Sequence, residues 1–239
     1  MLLPLGELRL GSLLEREAKN SMGRIISLLI GYAFGLFQTG YIIGRLNGID
    51  IRSVGSKNAG TTNTLRSLGA KAGALTLIGD AFKTVFAILI CRVIFKNSCA
   101  DYMTLISLYA ALGAMLGHNF PFYLKFKGGK GIACTAGMVI SFGLIPTLLG
   151  IVVFFSTFFI THYVSLCSLV LYVAIMIFSV IVGQLGYMNL AGPALIEAYI
   201  VIFVMMVMAF VRHKENIKRL ATGTERKTYI KKKGEIGEM

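Results

Sequence analysis

The sequence has 239 residues, of which 56% are hydrophobic, and its mean hydropathy is +0.74. Apolar runs of about 18 residues or more recur along it, which is typical of transmembrane helices and excludes a water-soluble globular core. The runs lack the alternation of barrel strands, so we predict an all-α integral membrane protein. The formal net charge of +13 suits contact with anionic membrane lipids, and nucleic acid is a poor alternative partner.

Long apolar tracts predict a bundle of about seven transmembrane helices. The predicted spans are Ile25 to Leu46, Leu68 to Phe95, Tyr102 to Leu116, Lys130 to Pro146, two spans within Thr147 to Val182, and Pro193 to Val211. The tract from Thr147 to Val182 is too long for one span, and the polar sequence THYVS at Thr161 divides it. Pro193 suits the first turn of a helix.

The sequence predicts that the chain has three parts. Residues 1–21 have too little apolar length for a span or a cleaved signal peptide, so this extension is either an amphipathic surface segment or an untranslated stretch before Met22. Residues 22–227 form the predicted seven-span domain. Residues 228–239 form a basic tail that contains Lys231 to Lys233.

An odd number of spans places the two termini on opposite sides of the membrane. The segments after the first, third and seventh spans then share one face, and all three are rich in Lys and Arg. By the positive-inside rule that face is cytoplasmic. We therefore expect three polar segments to meet on the cytoplasmic side.

The first of these segments, Ser53 to Lys71, has glycines at 55, 60 and 69. Glycines allow successive backbone N–H groups to converge on an anion, and Ser56 adds a hydroxyl donor without bulk. Arg66 supplies a guanidinium that can bind phosphate oxygens in a bidentate manner. An ordinary connecting loop has a similar composition, so this segment alone leaves both interpretations open.

The second segment, Leu116 to Gly137, places Gly128, Gly129 and Gly131 around Lys130, directly before a span. The N-terminus of that helix can face the same anion. The spacing differs from a Walker A loop. Two glycine-rich basic loops on one face favour a phosphate site.

The third segment carries the side chains suited to proton transfer. On a helix continuing out of the last span, His213 and Asn216 are predicted to share one face. A histidine there can act as base, acid or phosphate donor. A solvated basic helix with an incidental histidine is the alternative. We interpret His118 as structural and His162 as interfacial.

Charged residues and cysteines in or beside the spans are predicted to have structural roles rather than catalytic or metal-binding ones. Asp80 and Lys83 lie three residues apart in the second span, so they can pair, and we predict that they support the site structurally. The four cysteines, at 91, 99, 134 and 167, lack metal-ligand spacing and are predicted to be reduced. No carboxylate or Cys/His cluster predicts a metal or other cofactor.

Three sequences, GSKNAGTTNTLR, GHNFPFYLKFKGGKG and HKENIKRLATGTE, resemble in order and spacing the motifs of the acyl-phosphate:glycerol-3-phosphate acyltransferases, the PlsY family of bacterial inner-membrane proteins. The resemblance covers Ile25 to about Lys227. It implies transfer of a fatty acyl group from acyl phosphate to the 1-hydroxyl of sn-glycerol 3-phosphate. The products are lysophosphatidic acid and phosphate, in the first step of phospholipid synthesis.

The resemblance also assigns roles to residues. The implied catalytic residues are Ser56, Arg66, His213 and Asn216, and the predicted substrate-binding residues are Gly55, Asn58, Asn63, Gly128, Gly129, Lys130 and Gly131. Glu225 has a structural role in this scheme. Lys57, Ala59 and Thr61 depart from the family pattern, which often has glycine, proline and alanine at these places, so the loop geometry near residue 57 is left open.

Two other functional classes compete with the acyltransferase. A transporter for an anionic solute predicts polar residues through several spans, whereas only Asp80 and Lys83 lie at depth. A binding scaffold leaves His213 and Asn216 without a role. The HxxxxD pair of other acyltransferases is absent, since no acidic residue stands five positions after any histidine. Acyl-chain preference, oligomeric state and the proton acceptor, His213 or a substrate phosphate, stay open.

Overall fold

The computed structural model describes residues 5 to 229, with side chains from residue 16 onward. Every regular element in that part of the chain is helical, which confirms the predicted all-α membrane protein. The α-helices are α1 (Leu5–Gly35), α2 (Thr39–Leu46), α3 (Thr61–Leu68), α4 (Ala70–Phe95), α5 (Met103–Asn119), α6 (Ile132–Ser141), α7 (Leu144–Thr161), α8 (Val164–Gln184), α9 (Gly192–Arg212) and α10 (Lys214–Ala221). Short 3-10 turns, Ala100–Tyr102 and Phe122–Leu124, flank α5.

Six helical segments within residues 5–229 are long and apolar enough to cross a membrane. They are Arg16–Leu46, Ala70–Phe95, Ala100–Leu124, Leu144–Thr161, Val164–Gln184 and Gly192–Arg212. Helix α6 is apolar but has only 10 residues, a length of about 15 Å, or half of a hydrocarbon core of about 30 Å. The predicted number of about seven corresponds to six full-length segments and this half-length helix.

Several predicted helix boundaries can be compared directly with the structure. Helix α7 ends at Thr161 and α8 begins at Val164, which confirms the division of the long apolar tract. Pro193 lies in the first turn of α9, as predicted. The boundary predicted at Pro146 was wrong, because Gly143, with φ of +110°, ends the short helix and Pro146 belongs to the first turn of α7.

The first predicted span, Ile25 to Leu46, lies within the membrane-crossing segment Arg16–Leu46, and its helix is interrupted at residues 36–38. Backbone carbonyls released by the break accept hydrogen bonds from Lys83 of α4 and from Gln38, which lies in the break itself. Lys83 Nζ lies 2.7 Å from the Phe37 oxygen and 3.3 Å from the Gly35 oxygen. Gln38 Nε2 donates to the Gly35 oxygen at 3.1 Å. These contacts replace the helical hydrogen bonds that hydrocarbon would otherwise leave unmade.

Helices α1 and α5 pack backbone to backbone through glycines on both sides. A Cβ added at Gly31 would clash with the Ala110 carbonyl, and one at Gly113 would clash with the Leu28 carbonyl. Such close approach maximises van der Waals contact, which drives helix association where no hydrophobic effect operates between helices. The glycines of α1 and α5 therefore allow the two helices to pack closely.

Residues 5–21 of the predicted N-terminal extension form the first part of α1. Arg16 forms an ion pair with Asp101, and the Lys19 carbonyl accepts from Cys99 Sγ at 3.7 Å. All four cysteines are free and buried, as predicted. The alternative start at Met22 and the domain limits 22 and 227 remain predictions, and the basic cluster Lys231 to Lys233 lies outside the described residues.

Candidate active site

A cavity of about 770 Å³ lies between α3, α4, α6, α7 and α8, within the size range of small-molecule sites. One end, here called the polar end, is lined by Ser56, Arg66, Lys130, His213, Asn216 and Glu225. The other, here called the apolar slot, is lined by Leu77, Ala136, Val139, Gly150, Ile151 and Phe154. One continuous cavity therefore offers both ionic and hydrocarbon surroundings.

The cavity brings together residues up to 173 positions apart in the sequence, from Gly55 to Thr228. All four residues predicted to be catalytic, Ser56, Arg66, His213 and Asn216, line it, as do Gly55, Asn58, Asn63, Lys130 and Gly131. Gly128 and Gly129 are not among its lining residues. The geometry groups most of the predicted site, and the individual roles remain predictions.

The Asn63 side chain holds the first glycine-containing loop through three hydrogen bonds to its backbone. The residue is 2% exposed, and its Oδ1 accepts from the Ser56 N–H at 2.7 Å. Nδ2 donates to the carbonyls of Ile51 and Val54, at 2.8 Å and 3.1 Å. Since these bonds occupy both ends of the amide, Asn63 holds the loop in position rather than presenting a free donor. Gly55, with φ of +58°, lies directly over it.

The N-terminus of α3 follows this loop and faces the cavity. Gly60 precedes the helix, and no side chain caps the first turn. The N–H groups of Thr61 and Thr62 have no acceptor within the helix, and both residues line the cavity. At the other end of α3, Arg66 donates to the Arg226 carbonyl at 3.1 Å and to Thr228 Oγ1. An uncapped helix start and a guanidinium are both groups that suit an anion.

Helix α6 presents a second uncapped N-terminus to the same space. Gly131, with φ of +84°, precedes it, and Lys130 lies just before the turn. Lys130 Nζ donates to Asn216 Oδ1. Burial, together with the charges of Arg219 and Arg212, lowers the pKa of Lys130 to about 8. The lysine is therefore largely cationic at neutral pH, and an incoming anion would stabilise its charge.

Gly128 and Gly129 occupy the turn before Lys130, but their N–H groups are already bonded to other backbone atoms. They donate to the carbonyls of Asn119 and His118, at 3.2 Å and 3.0 Å. A Cβ at Gly129 would clash with the His118 ring. Arg212 Nη2 donates to both glycine carbonyls, at 3.0 Å and 2.8 Å. In this arrangement the two glycines fit a tight turn, and their amides do not point to the cavity.

His213 joins α9 to α10 rather than lying on one continuous helix, so the expectation of a single helix through residues 213 to 216 was wrong. The residue is 3% exposed, and its Nδ1 lies 2.8 Å from the Ala209 carbonyl oxygen. Only a protonated Nδ1 can make that bond, so the neutral ring has an unprotonated Nε2. Burial and the charge of Lys130 lower the pKa of His213 to about 4. The ring is thus a neutral hydrogen-bond acceptor at neutral pH.

Glu225 connects three parts of the polar end. Its Oε1 accepts from Asn216 Nδ2 at 2.6 Å and from Ser165 Oγ at 2.8 Å, and its Oε2 accepts from Arg219 Nε at 2.6 Å. Burial acts to raise the pKa of Glu225, but these hydrogen bonds outweigh it and hold the pKa below its ordinary value. The carboxylate orients Asn216 and, through it, Lys130.

Comparison with known proteins decides the family. A model of the family described as glycerol-3-phosphate acyltransferase matches residues 25–223. A glycerol-3-phosphate acyltransferase from Clostridioides difficile is 40% identical over 210 residues, covering 87% of this chain and 97% of that protein. A second relative, from Thermotoga maritima, is 37% identical over 218 residues, covering 89% of this chain and all of that protein. The chain belongs to this acyltransferase family.

Solved structures extend the comparison to the fold. The crystal structure of PlsY, described as an integral membrane glycerol 3-phosphate acyltransferase in its glycerol 3-phosphate form, has a TM-score of 0.72 and 31% identity. It covers 86% of this chain and 96% of that one. A lysophosphatidic acid form of PlsY has a TM-score of 0.70 and 30% identity, covering 85% and 94%. The family membership and the membrane-embedded helical fold therefore agree.

Three departures from the family pattern lie in the first loop. Lys57 has φ of +58°, in the left-handed region where glycine is favoured. Its N–H donates to the Val54 carbonyl at 2.9 Å, which holds the turn. Ala59 is 1% exposed, and its carbonyl packs against Gly40. Thr61 begins α3. The loop accommodates all three, at the cost of backbone strain at Lys57.

Several residues of the polar end were not predicted from the sequence. Ser165, Arg219 and Thr228 line the cavity and bind predicted site residues, and Arg212 fixes the turn before Lys130. Arg212 and Arg219 resembled the other cations of a basic face, and Ser165 lies inside an apolar span. Only their three-dimensional partners distinguish them.

A buried polar cluster lies beneath the turn that carries Lys130. Lys83 Nζ is 2.8 Å from Asp80 Oδ1 and 2.9 Å from His118 Nδ1. Because the ammonium donates to Nδ1, the His118 ring carries its own proton on Nε2. Asp80 also accepts from Thr39 Oγ1 at 3.0 Å. The cluster ties the break between α1 and α2 to α5, in keeping with the predicted structural role of Asp80, Lys83 and His118.

Proposed function

We propose that this protein transfers a fatty acyl group from acyl phosphate to the 1-hydroxyl of sn-glycerol 3-phosphate, giving lysophosphatidic acid and inorganic phosphate. The observation that carries the proposal is the single cavity with an anion-binding polar end and a continuous apolar slot. Both substrates carry phosphate, and only the donor carries a long alkyl chain. The glycerol 3-phosphate and lysophosphatidic acid forms of PlsY agree with this substrate and product.

Charge at the polar end supports the binding of two phosphate groups. Arg66, Lys130 and Arg219 line the cavity there, and Glu225 supplies a carboxylate at the same end. The N-termini of α3 and α6 add partial positive charge and free N–H groups. We assign Ser56 and Lys130 to the reacting phosphate, and Arg66 and Asn216 to the orientation of the two substrates.

The chemistry is proposed to occur in one displacement, without a covalent acyl-enzyme. The 1-hydroxyl oxygen attacks the acyl carbonyl carbon, a new C–O ester bond forms, and the bond from the carbonyl carbon to the phosphate oxygen breaks. The electron pair leaves with phosphate, a good leaving group. Positioning of the two substrates and stabilisation of the developing charge supply the acceleration. None of the four cysteines lines the cavity.

His213 is proposed to orient the attacking hydroxyl group. Its unprotonated Nε2 can accept the hydroxyl's hydrogen bond, since Nδ1 is bonded to Ala209. With a pKa of about 4, the ring is a weaker base than a phosphate group, whose second pKa is about 6. We infer that the hydroxyl proton ends on a phosphate oxygen, and that His213 holds the geometry in which it moves there.

A phosphate-release assay tests the reaction. Purified protein receives palmitoyl phosphate with and without glycerol 3-phosphate, and lysophosphatidic acid is measured by mass spectrometry. We expect phosphate release that depends on the acceptor and matches the lysophosphatidic acid formed, and no product from palmitoyl-CoA. Product from palmitoyl-CoA alone would overturn the proposed donor, and no product from either donor in folded protein would overturn the reaction.

Variants of one loop connect the assay to the site. Ser56→Ala removes a hydroxyl group at the polar end, so we expect turnover to fall about a hundredfold, the loss typical of one preorganised donor. Ser53→Ala is the matched control, because Ser53 is exposed and its Oγ donates to the Asp50 carbonyl outside the cavity. Equal turnover in the two variants would remove Ser56 from the mechanism.

We also propose that the polar end faces the cytoplasm in a bacterial inner membrane. Arg212, Lys214, Lys218 and Arg219 surround the end of α9 and the start of α10, and such cations mark the cytoplasmic side. A green fluorescent protein fused after residue 239 fluoresces only when it folds in the cytoplasm. A dark fusion in cells that hold the full-length protein would reverse the orientation.

A further inference from the structure

Gly150 lies within α7 and faces the apolar slot. Thr147 and Phe154, one helical turn away on either side, line the same slot. A Cβ built on Gly150 would meet nothing closer than Val139 Cγ1, at 3.6 Å, and Leu171 Cδ1, at 3.8 Å. Both are ordinary van der Waals distances, so no neighbour excludes a side chain at this position.

Other glycines in the interiors of the described helices have a packing reason that Gly150 lacks. A Cβ at Gly31, Gly113 or Gly137 would clash with a backbone carbonyl of the neighbouring helix. Glycine is a poorer helix former than alanine, so a helical glycine that permits no close approach weakens its helix without improving its packing. What Gly150 provides is unfilled space between α6, α7 and α8.

The depth of Gly150 shows what that space would hold. Thr161, at the end of α7 near the polar end, lies eleven residues from Gly150, or about 17 Å along the helix. Val139, which faces Gly150, lies seven residues from the start of α6, or about 10 Å. These two lengths lie on either side of about 15 Å, which is half of a hydrocarbon core of about 30 Å. Gly150 therefore lies near the depth at which an acyl chain of one membrane leaflet ends.

We propose that Gly150 determines which acyl-chain length the enzyme accepts, because the absent side chain leaves the slot open beyond this depth. The inference rests on the proposed function, since it takes the apolar slot as the site of the donor's acyl chain. A side chain at position 150 would project between Val139 and Leu171 and close the slot. Shorter donors would still reach the polar end, whereas longer donors would lose the room for their last methylene groups.

A competition assay measures this selectivity directly. Wild type and variants receive glycerol 3-phosphate and an equimolar mixture of lauroyl, myristoyl, palmitoyl and stearoyl phosphates. The lysophosphatidic acid species are then quantified by mass spectrometry, so their ratios report relative kcat/KM within one sample. In Gly150→Leu we expect the palmitoyl to lauroyl product ratio to fall at least about tenfold, since each methylene group that loses its burial costs about fourfold.

Two further variants make the result specific. Gly150→Ala introduces the strongest helix former, so it does not threaten folding, and we expect its ratio to fall about twofold to fourfold. Val152→Phe adds bulk two residues away on the exposed face of α7, where Val152 is 60% exposed and outside the slot. Its product ratio should equal that of wild type.

The outcomes separate this inference from the function on which it rests. An unchanged product ratio in active Gly150→Ala and Gly150→Leu would overturn the length-determining role, as would an equal loss of all four products. A palmitoyl to lauroyl product ratio that Val152→Phe lowers as much as Gly150→Leu does would also overturn this role. If wild type forms no product from any acyl phosphate, the proposed donor itself fails, and that result is visible before any variant is compared.

Discussion

At the polar end of the cavity most side chains are fixed by hydrogen bonds to named partners, whereas the apolar slot is shaped mainly by packing. Glu225 alone binds Asn216, Ser165 and Arg219. By contrast, a Cβ added at Gly150 would meet no neighbour closer than 3.6 Å. This difference suggests that substitutions at the polar end reduce the rate, while substitutions in the slot change which donor is used.

The largest expected effect is at Lys130, whose Nζ donates to Asn216 in the middle of the polar end. Lys130→Met removes the charge but keeps most of the volume, and we expect kcat/KM to fall about a hundredfold to a thousandfold. Lys127→Met is the matched control, because Lys127 is exposed and does not line the cavity. A similar loss in both variants would point to the net charge of the loop instead of the site.

His213 should show the next largest effect, and two replacements separate its possible roles. His213→Ala removes the hydrogen-bond acceptor, so we expect turnover to fall about a hundredfold. His213→Gln keeps a polar side chain that can accept a hydrogen bond but cannot take up a proton at neutral pH. If the phosphate receives the proton, the Gln variant should be at least about tenfold more active than the Ala variant. Equal, severe losses would make His213 the base.

Glu225 should have an intermediate effect, since it acts on the substrates only through Asn216 and Arg219. In Glu225→Gln the carboxylate charge is lost and an amide group replaces one acceptor oxygen, so we expect about a tenfold loss in kcat/KM. Glu215→Gln removes a carboxylate of α10 that does not line the cavity, and it should retain full activity. A Glu225→Gln enzyme with wild-type kinetics would show that this network does not orient the site.

The pH dependence of kcat/KM reports the free enzyme. Lys130, whose pKa burial lowers to about 8, is protonated below that pH and loses its charge above it. We therefore expect kcat/KM to fall as the pH rises through about 8. Lys130→Arg keeps its charge at all accessible pH values, so the residual activity of that variant should lack this alkaline fall. An alkaline fall that persists in Lys130→Arg would assign it to another group.

The sequence predicted the grouping of these residues better than their individual contacts. Glycines and cations between long apolar runs stand out because hydrocarbon excludes them, so the polar segments could be found from hydropathy alone. The break at residues 36–38 could not be found, since it depends on Lys83 binding the Phe37 carbonyl from a different helix. Gly128 and Gly129 look like anion ligands in the sequence, and only the backbone trace shows their amides bonded to other carbonyls.

The smallest expected effect is in the apolar slot, where Phe154→Leu tests the contrast itself. Phe154 lines the slot beside Ile151, and leucine keeps the position apolar while removing the aromatic ring. Packing of this kind tolerates conservative apolar changes, so we expect kcat/KM for palmitoyl phosphate to change by less than about threefold. The measurement is the same lysophosphatidic acid assay, on protein with wild-type thermal stability. A loss as large as that of Lys130→Met would mean that the slot also governs the reacting geometry, and the division between a catalytic end and a selective end would no longer hold.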